Sequence, residues 1–248
     1  MNATSLVACH ALPRHTTATL AIDIGGSGLK ALVLNAAGEP MSDRVRIDTP
    51  VGAAPDAIVA LLVELVRDLP AYERVAVGFP GMVRGGVVRT APNLGHDGWA
   101  GYDLQTALQQ ALGQPVRVAN DADVHGLAVI HGRGVEMVVT LGTGFGTALY
   151  ADGRLCPHLE ISQQPFRKGE NYDQQLGNAA RKLVGHRKWQ KRVLRAIANL
   201  RTLTHFDHLH VGGGNARKLD CELPADVTIV DNVAGLTGGA RLWHAQGE

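Results

Sequence analysis

The sequence predicts an α/β protein built of two similar lobes with a cleft between them. Three observations predict it. A strand, a glycine-rich turn and a second strand open the pattern at residues 19 to 35, and the same succession returns at 136 to 151. Each opening is followed by alternating stretches of helical and strand periodicity. Between them the alternating run Pro115-Val116-Arg117-Val118-Ala119 passes directly into Asn120-Asp121-Ala122-Asp123 and an apolar helix. A repeated unit of this kind implies two like halves, and the carboxyl ends of strands in open α/β sheets are where ligands bind.

Taken in order, residues 1–17 are polar and irregular and read as a loose tail. Thr19 to Ile24 reads as a strand entering Gly25-Gly26-Ser27-Gly28, and Leu29 to Asn35 as its partner. Ala36-Ala37-Gly38 is a turn signal, with a third strand at Pro40 to Ile47. Apolar residues at Ile58, Leu61, Leu62, Leu65 and Val66 predict a helix over 56–68. Arg74 to Gly78 is a strand ending in Phe79-Pro80-Gly81, and 82–98 reads as a glycine- and proline-rich loop. A helix over 103–112 is closed by Gly113. The central strand follows, then a helix over 122–131 for which Asn or Asp is a good N-cap. In the second half, Glu136 to Leu141 enters the turn Gly142-Thr143-Gly144-Phe145-Gly146, and a strand runs to Ala151 before Asp152-Gly153. Helices are predicted over 172–184 and 187–203, strands at His208 to Val211 and Val227 to Val230, and a last helix at about 234–245. The boundary falls near Val118, giving lobes 18–118 and 119–248, with the last helix packing back on the first lobe.

Hydrophobic content of 45% and charged content of 19% place the chain among ordinary globular proteins. A formal net charge of +1 advertises no nucleic-acid partner. No run approaches the ~20 apolar residues that span a membrane, and Met1 to Thr17 lacks a signal-peptide pattern. Cys9, Cys156 and Cys221 form no CxxC pair and no Cys/His zinc spacing, which suits a reducing compartment. The expectation is a cytoplasmic protein without membrane or nucleic-acid partners.

Three sets of residues carry candidate chemistry. Asp121 and Asp123 stand where a strand hands over to a helix, either as caps or as a base that takes a proton from a hydroxyl. The turns Gly25 to Gly28 and Gly142 to Gly146 let successive backbone N–H groups point at one anion, Thr143 adds a hydroxyl donor, and Asp23 beside phosphates would position Mg²⁺. Neither turn matches the GxxxxGK[ST] loop. Gly212-Gly213-Gly214-Asn215 is either a third element, flanking an adenine or ribose, or a plain turn. Gly144 is expected to be glycine because a Cβ would crowd the phosphates and disfavour a positive φ.

The segments Asp23-Ile-Gly-Gly-Ser-Gly-Leu-Lys30, Gly78-Phe-Pro-Gly81, Asn120-Asp-Ala-Asp123, Leu141-Gly-Thr-Gly-Phe-Gly146 and Val211-Gly-Gly-Gly-Asn215, in this order, resemble the ROK (repressor, open reading frame, kinase) family of sugar kinases. Ala91-Pro-Asn-Leu94 with Trp99 and Gly101 looks like that family's sugar-side loop. The DIGGSG start, the short length and the NDAD string look most like its polyphosphate-glucokinase subgroup. The resemblance implies a two-lobed actin-like ATPase (ribonuclease H-like) fold with a central cleft. It also implies phosphoryl transfer from polyphosphate or ATP to a hexose hydroxyl, most readily glucose to glucose 6-phosphate. Asp121 would be the catalytic base, and Asn93, Asn120 and Glu160 would hydrogen-bond the sugar. Asp23, Gly25, Gly26, Ser27, Gly28, Lys30, Gly142, Thr143, Gly144, Gly146, Gly213 and Gly214 would hold the donor. Asp123 is expected to be dispensable.

The sequence departs from the family where Glu160-Ile161-Ser162-Gln163 stands for Glu-Leu-Gly-His, and the family's cysteine-rich zinc segment is absent. Mg²⁺ is therefore expected with the donor, and no zinc or other protein-held metal. Glu170, in Lys168-Gly169-Glu170-Asn171, is either a second sugar carboxylate or an exposed loop acid. A homodimer is expected by analogy with the family. The alternatives are a sugar-binding or regulatory protein without catalysis, which Gln163 keeps open, and a DNA-binding repressor. The ~18 residues before the first strand are too few for a winged helix. Finally, Gln174 to Phe206 holds no acidic residue and eight basic ones. Lys188, Lys191, Arg192 and Arg195 share the face opposite Trp189, Val193, Ala196, Ile197 and Leu200, as a cationic track for polyphosphate would.

Overall fold

The computed structural model describes residues 17–92, 94–230 and 236–245; what the sequence predicts for residues 1–16, Asn93 and 231–235 lies outside them. The first half runs β1 (Thr19–Gly25), β2 (Gly28–Leu34), β3 (Val45–Ile47), α1 (Pro55–Val66), β4 (Arg74–Phe79), β5 (Val83–Arg84), β6 (Val87–Val88), α2 (Leu104–Leu112), β7 (Val116–Asn120) and α3 (Asp121–Leu127). The second runs β8 (Val135–Leu141), β9 (Phe145–Ala151), β10 (Arg154–Leu155), β11 (Pro165–Arg167), β12 (Glu170–Asn171), α4 (Tyr172–Leu176), α5 (Asn178–Val184), α6 (His186–Thr204), β13 (His208–Gly212), β14 (Val227–Ile229) and α7 (Gly239–Ala245).

The repeat in the sequence is a repeat in topology. One sheet has the order β3-β2-β1-β4-β7 and the other β10-β9-β8-β13-β14. In each, an antiparallel meander is extended on one side by two parallel strands. The continuous apolar runs of β1 and β2 fit burial on both faces. Leu20, Ile22 and Ile24 pack with Ile58, Leu62, Phe79 and Trp99 in one core, and Met137, Val139 and Leu141 with Trp189, Val193, Ile197 and Leu200 in another. Each such side chain contributes about 1.5–3 kcal/mol when fully buried.

A third cluster joins the sheets. Ala76 and Ala119 of the first meet Val138, Ala148 and Tyr150 of the second, with Val124 and Leu127 of α3 and Leu242 of α7 between them. Helix α7 lies on β1 and β4, where a Cβ on Gly239 would touch Ala21 and Ala76. Arg117 of β7 donates to the carbonyls of Leu242 and Trp243 at 3.2 and 3.1 Å.

Five elements differ from the sequence expectation, the last helix among them, since α7 begins at Gly239 after a turn at 236–238. The third strand is only Val45–Ile47, with an isolated bridge from Pro40 to Leu34. The loop over 82–98 holds the β5–β6 hairpin and a 3₁₀ turn at Asp97–Trp99. Helix α3 ends at Leu127, four residues early, with Tyr150 packed against Gly126 and donating its hydroxyl proton to the Asp123 carbonyl at 2.6 Å. The helix over 172–184 breaks at an extended Gly177, where a Cβ would strike the Thr143 carbonyl. Among the described residues no helix is long and apolar enough to cross a membrane.

Candidate active site

Helix α3 is the seam on which the site is built. Asn120, the last residue of β7, caps it: Oδ1 accepts from the Ala122 N–H at 2.8 Å, while Nδ2 donates to the Gly81 carbonyl at 3.0 Å. Both ends of this buried amide are thus engaged with backbone. Gly81 itself is packed so closely on the Thr90 carbonyl that no side chain fits. Asp121 follows as the first helical residue. A Cβ on Gly78 would stand 3.4 Å from its Cα, and Gly78 pairs with Asp23 in the sheet. On the other side, a Cβ on Gly146 would stand 3.2 Å from that of Ala122. Asp121 therefore lies beside the ends of β1 and β4, while the next residue, Ala122, packs on Gly146 of β9.

Burial raises the Asp121 carboxyl to about 6; His125 one turn along α3 and the Ala122 N–H oppose the rise, and the charges of Asp23 and Asp123 add to it. A base in this range is ionised at neutral pH yet still accepts a proton readily. Asp23 is buried and accepts from Lys30 Nζ at 2.7 Å.

The two glycine turns are held differently. Gly25 pairs with Gly28, leaving Gly26 and Ser27 exposed at the tip. Arg46 donates to the Ser27 carbonyl at 3.0 Å and Thr49 to that of Gly25 at 2.6 Å. The second turn is wider. Phe145 N–H donates to Asp173 Oδ1 at 2.8 Å, and Asn178 N–H to the carbonyls of Gly142 and Thr143 at 3.0 and 3.1 Å. Asn215 Nδ2 donates to the Gly142 carbonyl at 3.0 Å. This brings the turn at Gly213 and Gly214 against the second one; Gly213 has φ +89° and no room for a Cβ beside Leu141. Gly144 does not have the expected positive φ. It is glycine because a Cβ there would drive into the Asp173 carboxylate.

The third part is a cavity of about 510 Å³ lined by Thr90, Ala91, Pro92, His96, Asp97, Trp99, Ala100, Glu160 and Gln163. It contains Glu160 and Gln163, both singled out by sequence. The Nε1–H of Trp99 is buried in its lining and meets no acceptor among the described residues. Glu160 accepts from Thr90 Oγ1 at 3.2 Å and from Ser162 Oγ at 3.1 Å. Its Oε1 also lies 3.8 Å from Nε2 of His158, whose Nδ1 is 3.1 Å from both oxygens of Asp123. Burial alone would lower the His158 pKa, but Asp123 and Glu160 overcome it and hold it at about 10. Glu160 is correspondingly held below the ordinary carboxylate range, first by His158.

Asp123, expected to be dispensable for turnover, is a buried partner of His158, whose other nitrogen lies 3.8 Å from Glu160. Asp121 and Asp123, two residues apart on α3, face opposite halves: Asp121 packs on Gly78 and Asp123 meets His158. Sequence reading missed His158, Thr90 and Asp173. For His158 a signal existed: in Pro157-His158-Leu159-Glu160 the alternation puts the imidazole and the carboxylate on one side. Glu170 is exposed on the β11–β12 hairpin, accepts from Gln175 Nε2 and does not line the cavity. Gln163 is exposed and accepts from Asn171 Nδ2 at 3.0 Å. Asn93 lies outside the described residues. On α6, Lys188 and Lys191 are exposed, whereas Arg192 donates to the Gln175 carbonyl at 3.2 Å and Arg195 lies 5.7 Å over the Phe166 ring.

The ROK family model matches residues 19–157. The polyphosphate glucokinase of Mycobacterium tuberculosis (strain H37Rv) is 31% identical over 235 residues, covering 88% of this chain and 88% of its own length. That of Mycobacterium leprae (strain TN) is 31% identical over 238 residues, covering 88% of this chain and 72% of its own. Among solved structures, the inorganic polyphosphate/ATP-glucomannokinase from Arthrobacter sp. strain KM superposes with a TM-score of 0.82 at 29% identity, over 93% of this chain and 100% of that one. A ROK glucokinase from Streptomyces griseus, in complex with glucose and AMPPNP, shares the fold with a TM-score of 0.73 at 21% identity, over 91% and 98%. The two-sheet architecture is that of the actin-like ATPase fold.

Proposed function

The chain belongs to the ROK family, and we propose that it is a sugar kinase that moves a phosphoryl group from polyphosphate or ATP to a hexose hydroxyl, glucose to glucose 6-phosphate. The names of its relatives support the reaction. The observation that carries it is Asp121, a carboxyl with a pKa of about 6 at the head of α3, packed on Gly78 of β4 next to Asp23 of β1. In this reading the acceptor hydroxyl gives its proton to Asp121 as its oxygen bonds to the terminal phosphorus, and the bond to the remaining phosphate breaks. Phosphoryl transfer asks the protein chiefly for positioning and charge neutralisation.

Glu160 is suited to sugar hydroxyls, with Asn93 and the second lone pair of Asn120 as further ligands. The backbone of Gly25 to Gly28, Lys30, the Gly142 to Gly146 turn and the Gly213-Gly214 turn are suited to the donor. Asp23 of β1 and Asp121 at the head of α3, one on either side of β4, are hard oxygen donors whose charges interact, a pair that fits Mg²⁺ carried by the donor. When bound, that ion neutralises phosphate charge. The two lobes, parted by the sequence near Val118 although β7 runs on to Asn120 in the first sheet, would close over the substrates and exclude water. The test is a coupled assay for glucose 6-phosphate with ATP and with polyphosphate, on wild type and Asp121→Asn. We expect product with at least one donor, and roughly 10²- to 10⁴-fold less in the variant. Glucose binding by calorimetry with no product from either donor would leave a sugar-binding protein without catalysis.

A further inference from the structure

Three histidines that the sequence scatters meet at the far end of the second sheet. His131 lies in the loop between α3 and β8, His208 is the first residue of β13, and His210 is two residues on, so that its side chain and that of His208 share one face. Their ring centroids are 5.0, 4.9 and 4.6 Å apart. One nitrogen from each ring falls within 4.8 Å of the other two. A hydrophobic core would not choose three imidazoles for this corner, since each brings two polar nitrogens that need partners.

The surroundings are built for ligation. Glu136 is buried and accepts backbone N–H groups from His131, Gly132 and Arg133 at 2.7, 2.6 and 3.2 Å. Its Oε1 also lies 3.0 Å from Nε2 of His210 and 3.6 Å from Nδ1 of His131. A metal-binding imidazole typically gives its other N–H to a carboxylate, which fixes ring and tautomer. Glu136 stands in that position for His210 and close to it for His131. His208 has the Thr228 hydroxyl at 2.9 Å from Nε2.

We propose that His131, His208 and His210 form a three-histidine site for a divalent transition metal, zinc by preference, with Glu136 as the carboxylate that orients two of the ligands. Three imidazoles suit zinc, whereas Mg²⁺ takes oxygen ligands. The His131 side chain is 63% exposed, so a fourth position opens to solvent. The site is separate from the glycine turns: it lies at the opening end of β8 and β13, and the turns follow their closing ends. At ~3.3 Å per residue, the five residues from Glu136 to Leu141 separate the two by roughly 17 Å. The bound ion would tie the loop after α3, the helix whose first residue is Asp121, to the start of β13.

The test is calorimetric titration of the chelator-stripped protein with zinc chloride, repeated on His131→Gln, His208→Gln and His210→Gln. Cobalt(II) titration supplies an optical check, since tetrahedral nitrogen ligation gives intense visible bands. The expected result is one saturable equivalent in wild type, at least tenfold weaker binding in each variant, and loss of the cobalt bands. His131→Gln keeps the test valid if either strand variant fails to fold, because that residue is exposed. No saturable binding by wild type, or unchanged affinity in His131→Gln, overturns the proposal; the second result would place the zinc on other residues.

Discussion

The two glycine turns occupy equivalent places in two sheets of the same strand order, yet they are equipped for different work. The turn after β1 is a tight hairpin whose neighbours are cations, Lys30 on Asp23 and Arg46 on the Ser27 carbonyl. The turn after β8 is wider, and its neighbours are Asp173, Asn178 and Asn215, which hold its backbone from outside. Charge is concentrated at one turn and backbone shape at the other. The carboxylates of α3 divide in the same way: Asp121 lies over the first sheet and Asp123 is bound by His158 of the second half. A duplicated fold can thus supply two glycine turns without duplicating how they are held.

The largest expected effect separates the two carboxylates. Asp121→Asn should keep fold and sugar affinity while turnover falls roughly 10²- to 10⁴-fold. The acid limb of kcat/KM should turn over near pH 6, because the base must be ionised and burial raises its pKa to about 6. Removing the neighbouring charge in Asp23→Asn should move that limb to lower pH; a limb that stays put would separate Asp121 from the profile.

Next comes Asp123→Asn, which should act on stability. Breaking a buried charged pair costs about 3–5 kcal/mol, readable by chemical denaturation, and a loosened Glu160 should raise the sugar KM. The pH dependence has a definite sign. His158 has a folded pKa of about 10, above its ordinary value of about 6.5, so its contribution is complete below 6.5 and is lost as pH rises through 10. The melting temperature of wild type should fall across that window, and more steeply than that of His158→Gln. Parallel curves would show that the pair is not what stabilises this corner.

Substitutions in the second turn come third. Gly144→Val should displace Asp173, release the Phe145 N–H and raise the KM for the donor severalfold, while Gly142→Ala, with nothing within 4 Å of its Cβ, should be tolerated. Steady-state kinetics on both variants decides whether shape is what this turn contributes. Equal damage from both, or calorimetric loss of sugar binding in Gly144→Val, would contradict that assignment.

The smallest effect concerns the donor. Replacing Lys188, Lys191, Arg192 and Arg195 with Gln should raise the KM for long polyphosphate and flatten its salt dependence, leaving that for ATP within about twofold, well under the 1.4 kcal/mol of a tenfold change. Since Arg192 and Arg195 are already in contact with Gln175 and Phe166, Lys188 and Lys191 should account for most of it. Unchanged polyphosphate kinetics would leave α6 as ordinary surface.

Much of this was legible in the chain, because it depends on near neighbours. The alternation of Thr19 to Ile24, the Asp152-Gly153 turn, the Asn120 cap and the apolar stripe of α6 are each decided within a few residues by backbone sterics, local hydrogen bonds and the side-chain period. The order of the glycine motifs marked the family for the same reason. What the tertiary structure decided are contacts between groups far apart in sequence: Asp173 under Gly144, Asp123 against His158, Tyr150 packed on Gly126 of α3, and His131 beside His208 and His210. Each depends on which strands pair and in what register. A slip of one residue would turn every side chain to the opposite face, and a local pattern carries no information about the partner it will meet.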